Sequence, residues 1–268
     1  GGGGQRGGQR VLQKGMHFLG KSFEGSYAYD SPQALQSLKN MADAGVTHVT
    51  FTFCWYLNAT RSQQGWRFAT GPIVPVPGPA PSGVIYANAS SPSDAELTTI
   101  IAAAHSLNLT VKLRPTVDPH YEFIAGCTEE TADKGGCAGR GEIGHTFSSQ
   151  QWTDFFEGRG GYGDYVLHMA ALAERTRCEI LSVGVELTAA MAQEQHYRTL
   201  IARVRQVFTG EIHNDCSGFP GFCPTGVKFW DAVDAIGIDA YPALTHGIAK
   251  DNGNPSVEQL VEAFQPFI

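Results

Sequence analysis

Apolar positions along this chain switch between two spacings. Short runs of adjacent apolar residues are followed by stretches where they recur every three or four, the sign of strands followed by helices. Residues 14–19 predict a short strand, and Ser31 and Pro32 then open a helix that carries Leu35, Leu38, Met41 and Ala42 and ends at Gly45. Ser ahead of Pro starts a helix because the Pro there needs no N–H partner, and Gly just past the end stops it. The β-branched and aromatic run 48–57 predicts a buried strand, followed by a helix over 94–108 with Leu97, Ile100, Ile101 and Ala104 on one face.

The same alternation continues. Residues 110–117 predict a third strand, and 148–177 a helical region interrupted by Gly158, Gly160, Gly161 and Gly163. A fourth strand over 179–187 precedes a helix over 193–208, with Tyr197, Leu200, Ile201, Val204 and Phe208 at helical spacing and Gly210 beyond. A shorter fifth strand (211–216), a helical turn (229–233), a sixth strand (235–240) and a helix over 256–264 complete the pattern. Strands alternating with helices make parallel sheets with helical crossovers, wound flat or closed into a barrel.

Flat nucleotide-binding sheets carry a Gly-rich phosphate loop after the first strand, yet Gly15, Gly20 and Gly25 do not form G-x-G-x-x-G. The barrel is favoured. Two long connections, 58–92 and 118–147, follow strands, as loops do at the active face of a (β/α)8 barrel. The 268 residues suit a whole barrel in length, but only six strand-and-helix units are counted. The expected fold is α/β, an incomplete (β/α)8 TIM barrel with about six of eight units over residues 11–268, preceded by a disordered Gly-rich tail over 1–10.

Composition narrows the partners. Nineteen Lys and Arg against 26 Asp and Glu give a net charge of -7, so no basic surface is offered to nucleic acid. The apolar runs, such as 49–57 and 100–104, fall short of the about 20 residues a membrane helix requires. Residues 1–10 contain neither an initiating Met nor an apolar core and do not read as a signal peptide.

Asn58, Asn88 and Asn108 each begin an N-x-[ST] triplet, the acceptor pattern for glycosylation. Cys127 with Cys137, and Cys216 with Cys223, bracket loops at separations a disulfide spans, whereas Cys54 and Cys178 lie in or beside strands and read as buried thiols. Together these features favour a secretory, oxidising compartment. No C-x-x-C or H-E-x-x-H occurs, so neither a metal nor another cofactor is expected.

Glu186 is the foremost candidate for chemistry. It ends the apolar strand 180–185, where partial burial raises a carboxyl pKa and suits it to acid catalysis. The same position suits an ordinary Glu that faces solvent or caps a helix. The order of motifs decides between them. Lys14-Gly15, Phe53-Cys54-Trp55-Tyr56, Ala104-His105, the run from Val111 to Asp118, Val183-Gly184-Val185-Glu186-Leu187 and the run from Asp234 to Tyr241 together resemble glycoside hydrolase family 113.

That resemblance spans about residues 13–264 and implies a retaining (β/α)8 glycosidase of the β-1,4-mannanase kind, acting on polysaccharide or oligosaccharide. It implies that Glu186 is the general acid/base and that a nucleophilic Glu ends strand seven. No position matches that second Glu, so the fragment by itself is expected to be inactive. Val185 stands where many members of the wider clan have Asn before the acid/base.

Other strand-end residues have two readings each. Trp55 and Tyr241 are candidate stacking platforms for sugar rings or core and rim aromatics. Arg114 and Asp118 are candidates to bind sugar hydroxyls or to form an internal salt bridge, and Asn214 and Asp239 are similar substrate-binding candidates. His17 and His120 read more readily as structural histidines than as site residues. The alternative function is a non-catalytic carbohydrate-binding TIM-barrel protein; a metal-dependent barrel hydrolase would need more His at the strand ends.

Overall fold

A computed structural model describes residues 13–20, 27–62, 65–75, 91–120, 139–217, 226–240 and 256–264. Six parallel strands lie in the order β1 (Gly15–Leu19), β2 (His48–Ser62), β4 (Thr110–His120), β5 (Ile180–Val185), β6 (Glu211–Ser217) and β7 (Ala235–Asp239). The short β3 (Gly65–Phe68) folds back antiparallel on the end of β2, pairing Ala59 with Phe68. The run 48–57 therefore continues as strand into a hairpin, where the sequence pattern shows only a Pro- and Gly-rich connection. β4 likewise runs past residue 117 as far as His120.

The crossovers are helical: α1 (Pro32–Asp43), α2 (Asp94–Ser106), α3 (Ser149–Glu157), α4 (Tyr162–Thr176), α5 (Glu194–Arg205) and α6 (Val257–Phe264). Ser31 caps α1 by accepting from the Ala34 N–H at 3.1 Å. Ser93 and Ser148 head capping boxes with Glu96 and Gln151, which satisfy otherwise unpaired N–H groups at the first turns of α2 and α3. The single helical region expected over 148–177 is two helices. The backbone breaks over Gly158 to Gly161, where a Cβ on Gly161 would lie 2.5 Å from the Phe155 carbonyl.

The central strands β2 and β4 separate two environments. Val49, Phe51 and Phe53 of β2 are fully buried in the core shared with the helices, as are Val111 and Leu113 of β4. The alternate residues, Lys112, Arg114, Thr116 and Asp118 of β4 with Ser182 of β5 and Asp215 of β6, make polar contacts on the other face. Arg114 also pairs with Asp239 of β7. On a flat sheet β4 and β7, with two strands between them, would stand about 14 Å apart at ~4.8 Å per strand. The sheet curls so that this polar face is concave. The described strands thus form an incomplete (β/α)8 barrel with its polar residues inside.

Two glycines make room for this interior. A Cβ on Gly237 would meet the Asp215 carboxylate at 2.0 Å, and one on Gly184 would meet Asn214 Oδ1 at 2.1 Å and the Tyr197 hydroxyl at 2.7 Å. Gly184→Ala must push Asn214 and Tyr197, both buried, out of place. It is expected to destabilise the protein by about 1–3 kcal/mol, read as a lower midpoint in denaturant unfolding. An unchanged midpoint would show that the neighbours yield freely.

Candidate active site

Glu186 follows β5 directly, and two irregularities place it. The β5–β6 register shifts between Ser182 and Val185, and Glu186 itself has φ 55°, in the left-handed region that costs a non-Gly residue free energy. Its N–H is held by the Asp215 carbonyl at 2.8 Å. Simple strand alternation would put Gly184 on the same face as Ser182, yet Ser182 meets Asp215 inside and Gly184 backs onto Tyr197 of α5. The bulge resets the phase, and the left-handed turn then aims Glu186 at the concave face.

The Glu186 side chain is 25 % exposed and reaches charged groups from two directions. Arg140, in a 3-10 turn (Arg140–Glu142) after β4, brings Nη1 to 3.5 Å from Glu186 Oε2. Asp239 at the end of β7 is in side-chain hydrogen-bond contact with it. Burial raises the Glu186 pKa above the ordinary carboxylate value, Arg140 and Arg114 oppose the rise, and Asp239 adds to it. Two acidic side chains in contact cannot both ionise cheaply.

Beneath Glu186 lies a buried ion network. Asp215 accepts from Lys112 Nζ at 2.9 and 3.0 Å, from Arg114 Nε at 2.8 Å and from Ser182 Oγ at 2.7 Å. Burial alone would raise its pKa, but Lys112 and Arg114 more than offset that and hold it low. Arg114 also donates to Asp239, so it links the network to the contact of Glu186. Beside it, Arg140 forks Asp118 through Nε at 2.8 Å and Nη2 at 2.7 Å, and the Cys54 thiol donates to the same carboxylate at 3.0 Å. Burial pushes the Cys54 thiol well above the usual range, which keeps it protonated for that bond.

Glu186, Arg114, Asp118 and Asp239 are therefore gathered at one place. For Arg114 and Asp118 the structure shows the internal salt bridge, since Arg114 joins two carboxylates and Asp118 holds Arg140. His17 borders the same face, near Arg114 and Asp239, and burial followed by Arg114 lowers its pKa.

Two expected residues lie elsewhere. Asn214 is fully buried against the helix layer, its amide turned toward Met191 Sδ at 3.5 Å, because its neighbour Asp215 takes the inner face of β6. Trp55 also faces the helices, its ring 5.0 Å from Tyr165 and 5.5 Å from His168. One residue along, Tyr56 shares a face with Cys54 and pairs in register with Asp118. Tyr241, Cys127, Cys137, Cys223 and the His120 side chain lie outside the described residues. Cys216 is disulfide-bonded, and Cys54 and Cys178 are buried thiols.

Sequence reasoning missed Arg140, Lys112, Asp215 and Tyr56 as site neighbours. The available signal was a Lys, an Arg and an Asp inside otherwise buried strands, since buried charges occur in pairs. Among the described residues, no His, Cys, Asp and Glu group could hold a metal ion, and no helix is long and apolar enough to cross a membrane.

A curled parallel sheet with a carboxyl of raised pKa ending its fourth parallel strand defines a barrel protein with an acid poised at the face where barrels do chemistry. Residues 78–268 match the sequence model of Glycoside Hydrolase Family 113, and the chain belongs to that family of glycoside hydrolases.

Solved structures of the family agree with the fold. A beta-mannanase of the family from Alicyclobacillus acidocaldarius, determined in complex with ManMIm, is 26% identical; the match covers 94% of this chain and 67% of that one at a TM-score of 0.60. A complex structure of a family beta-1,4-mannanase is 24% identical, covering 95% of this chain and 67% of its own, at a TM-score of 0.62. A further structure of a family beta-1,4-mannanase is 23% identical, with coverage of 95% and 67% and a TM-score of 0.60. The last two bear on the fold alone. Among curated proteins, none matches the chain.

Proposed function

We propose that this glycoside hydrolase is an endo-acting β-1,4-mannanase that cleaves with retention of configuration, with Glu186 as its general acid/base. The observation that carries the reading is Glu186 itself: a partly exposed carboxyl at the end of the fourth parallel strand, its pKa raised by burial and by Asp239. Such a group is protonated where an ordinary Glu is not, and can donate to a glycosidic oxygen as the bond breaks. The sugar specificity is supported by the 26% identical structure of the same family, a beta-mannanase.

In a retaining mechanism a second carboxylate, about 5–5.5 Å away, attacks the anomeric carbon while the acid protonates the leaving oxygen. By the family resemblance that nucleophile ends the seventh barrel strand, and the described residues supply six parallel strands. Glu186 then takes a proton from the water that releases the glycosyl group. Asp239, beside Glu186, is the remaining candidate for a sugar hydroxyl contact, and Tyr241 just after it a candidate stacking platform. A secretory setting is supported by the disulfide at Cys216 and by the exposure of Asn58 and Asn108, two of the three acceptor asparagines.

The test is to incubate the full-length protein with β-mannan, cellulose and xylan, assay reducing ends, and follow the first product by proton NMR. Reducing ends from mannan, a rapid fall in polymer length and an initial β-anomer are expected. Binding to mannan without cleavage would favour the non-catalytic carbohydrate-binding reading, and an initial α-anomer would reject retention.

A further inference from the structure

Glu186 meets charged groups from three elements. Asp239 of β7 touches it, Arg114 of β4 acts on it through space, and Arg140 approaches from the loop after β4 to 3.5 Å. Lys112 and Asp215 lie beneath, paired with each other, and His17 of β1 borders Arg114 and Asp239.

Arg140 differs from the others in how it is held. A guanidinium is a rigid planar fork, so fixing two of its nitrogens fixes the direction of the third. Nε and Nη2 are both committed to Asp118, leaving Nη1 toward Glu186. Asp118 is itself braced by the Cys54 thiol, and both stand on adjacent paired strands, β4 and β2. A loop residue thereby acquires the positional precision of the sheet.

We propose that Arg140 is a positioning residue for the acid/base: clamped by Asp118, it presents one fixed cation to Glu186 whenever Glu186 has given up its proton. The inference rests on Glu186 being the acid/base. In the first step the nucleophilic carboxylate bonds to the anomeric carbon as the bond from that carbon to the glycosidic oxygen breaks, the Glu186 proton passes to that oxygen, and Glu186 is left a carboxylate facing Arg140. In the second, water oxygen bonds to the anomeric carbon, a water proton returns to Glu186, and the bond to the nucleophilic carboxylate breaks. Asp239 favours the protonated half of this cycle and Arg140 the ionised half. A group that must donate and then accept needs both.

The test is the pH dependence of kcat/KM for the full-length protein on a manno-oligosaccharide, comparing wild type with Arg140→Gln, Arg140→Lys and Asp239→Asn. kcat/KM requires protonated Glu186 in the free enzyme, so its alkaline limb follows that pKa. Loss of the Arg140 charge removes support for the carboxylate, and the limb should move up by about one pH unit; Asp239→Asn should move it down. Arg140→Lys should leave the limb near its wild-type position but lower kcat, because an ammonium cannot fork Asp118 and reach Glu186 together.

An unmoved or lowered limb in Arg140→Gln overturns the proposal, since a merely structural residue would lower rates at every pH alike. Wild-type kcat in Arg140→Lys overturns the role of the fork. Glu186→Ala separates this from failure of the underlying assignment. If it loses mannan cleavage but still releases the aryl group from a dinitrophenyl β-mannoside, whose departure needs no acid, the assignment stands and Arg140 is judged by its own limb. If it cleaves mannan normally, both fall.

Discussion

Glu186→Gln is expected to lower kcat on β-mannan by at least about a hundredfold, the range that general acid/base catalysis contributes. The amide has nearly the shape of the carboxyl and keeps the same Cβ, so it neither adds nor relieves the left-handed strain at φ 55°. It cannot supply an acidic proton. Loss of stability should not accompany the loss of rate. The folded-state pKa of Glu186 is raised, so the folded protein binds this proton more tightly than the unfolded chain does.

The stability linked to that proton is fully present below the unfolded pKa, about 4.3, and is lost as pH rises through the folded value. At neutral pH a neutral Gln removes that cost, and the variant should melt at or above the wild-type temperature. Initial rates by reducing-end assay and thermal unfolding by circular dichroism check both halves. Near-normal rates would reject Glu186 as the acid/base, and a large fall in melting temperature would mean that the lost rate reflects a damaged fold.

The parts of this protein that repeat were legible in its sequence, and the parts that break a repeat were not. The run of β-branched and aromatic residues from His48 and the spaced apolar residues from Leu97 to Ala104 each sit in one periodic environment, and each forms the expected element. The place of Glu186 at the end of β5 was legible because it ends such a run.

Trp55 and Asn214 were misplaced because strand ends present alternate residues to opposite faces, and one step of phase separates a residue in the barrel mouth from one under a helix. At Trp55 the inward aromatic is its neighbour Tyr56, and at Asn214 the inward residue is its neighbour Asp215. The bulge before Glu186 shifts that phase where Gly184 backs onto Asn214 and Tyr197, residues on two other elements. Arg140 was invisible for another reason. It lies in a long connection without periodicity, and its side chain is placed by Asp118, 22 positions earlier.

Asp215→Ala is expected to cost about 3–5 kcal/mol of folding stability, because it takes the buried carboxylate away from Lys112 and leaves Arg114 only its second partner, Asp239. Asp215 is 2% exposed and Arg114 6%. With the carboxylate gone, Lys112 and Arg114 face each other without their common partner, and Ser182 loses its acceptor. The pH dependence has a definite sign. The folded-state pKa of Asp215 is depressed, so its contribution is present above the unfolded value, about 3.9, and is lost as pH falls through the folded value. Urea unfolding at neutral pH should therefore separate wild type from Asp215→Asn widely, and the gap should close in acid below that window.

The damage should also reach the chemistry. Arg114 is the residue that joins Asp215 to Asp239, and Asp239 touches Glu186. With the Asp215 charge gone, the Arg114 cation has one anion fewer to offset it, and a less compensated cation favours the Glu186 carboxylate and lowers the Glu186 pKa. In Asp215→Asn the alkaline limb of kcat/KM should then move downward, although only the backbone of residue 215, and not its side chain, is hydrogen-bonded to Glu186. A limb that stays in place while stability falls would show that the buried network supports the barrel without tuning its acid.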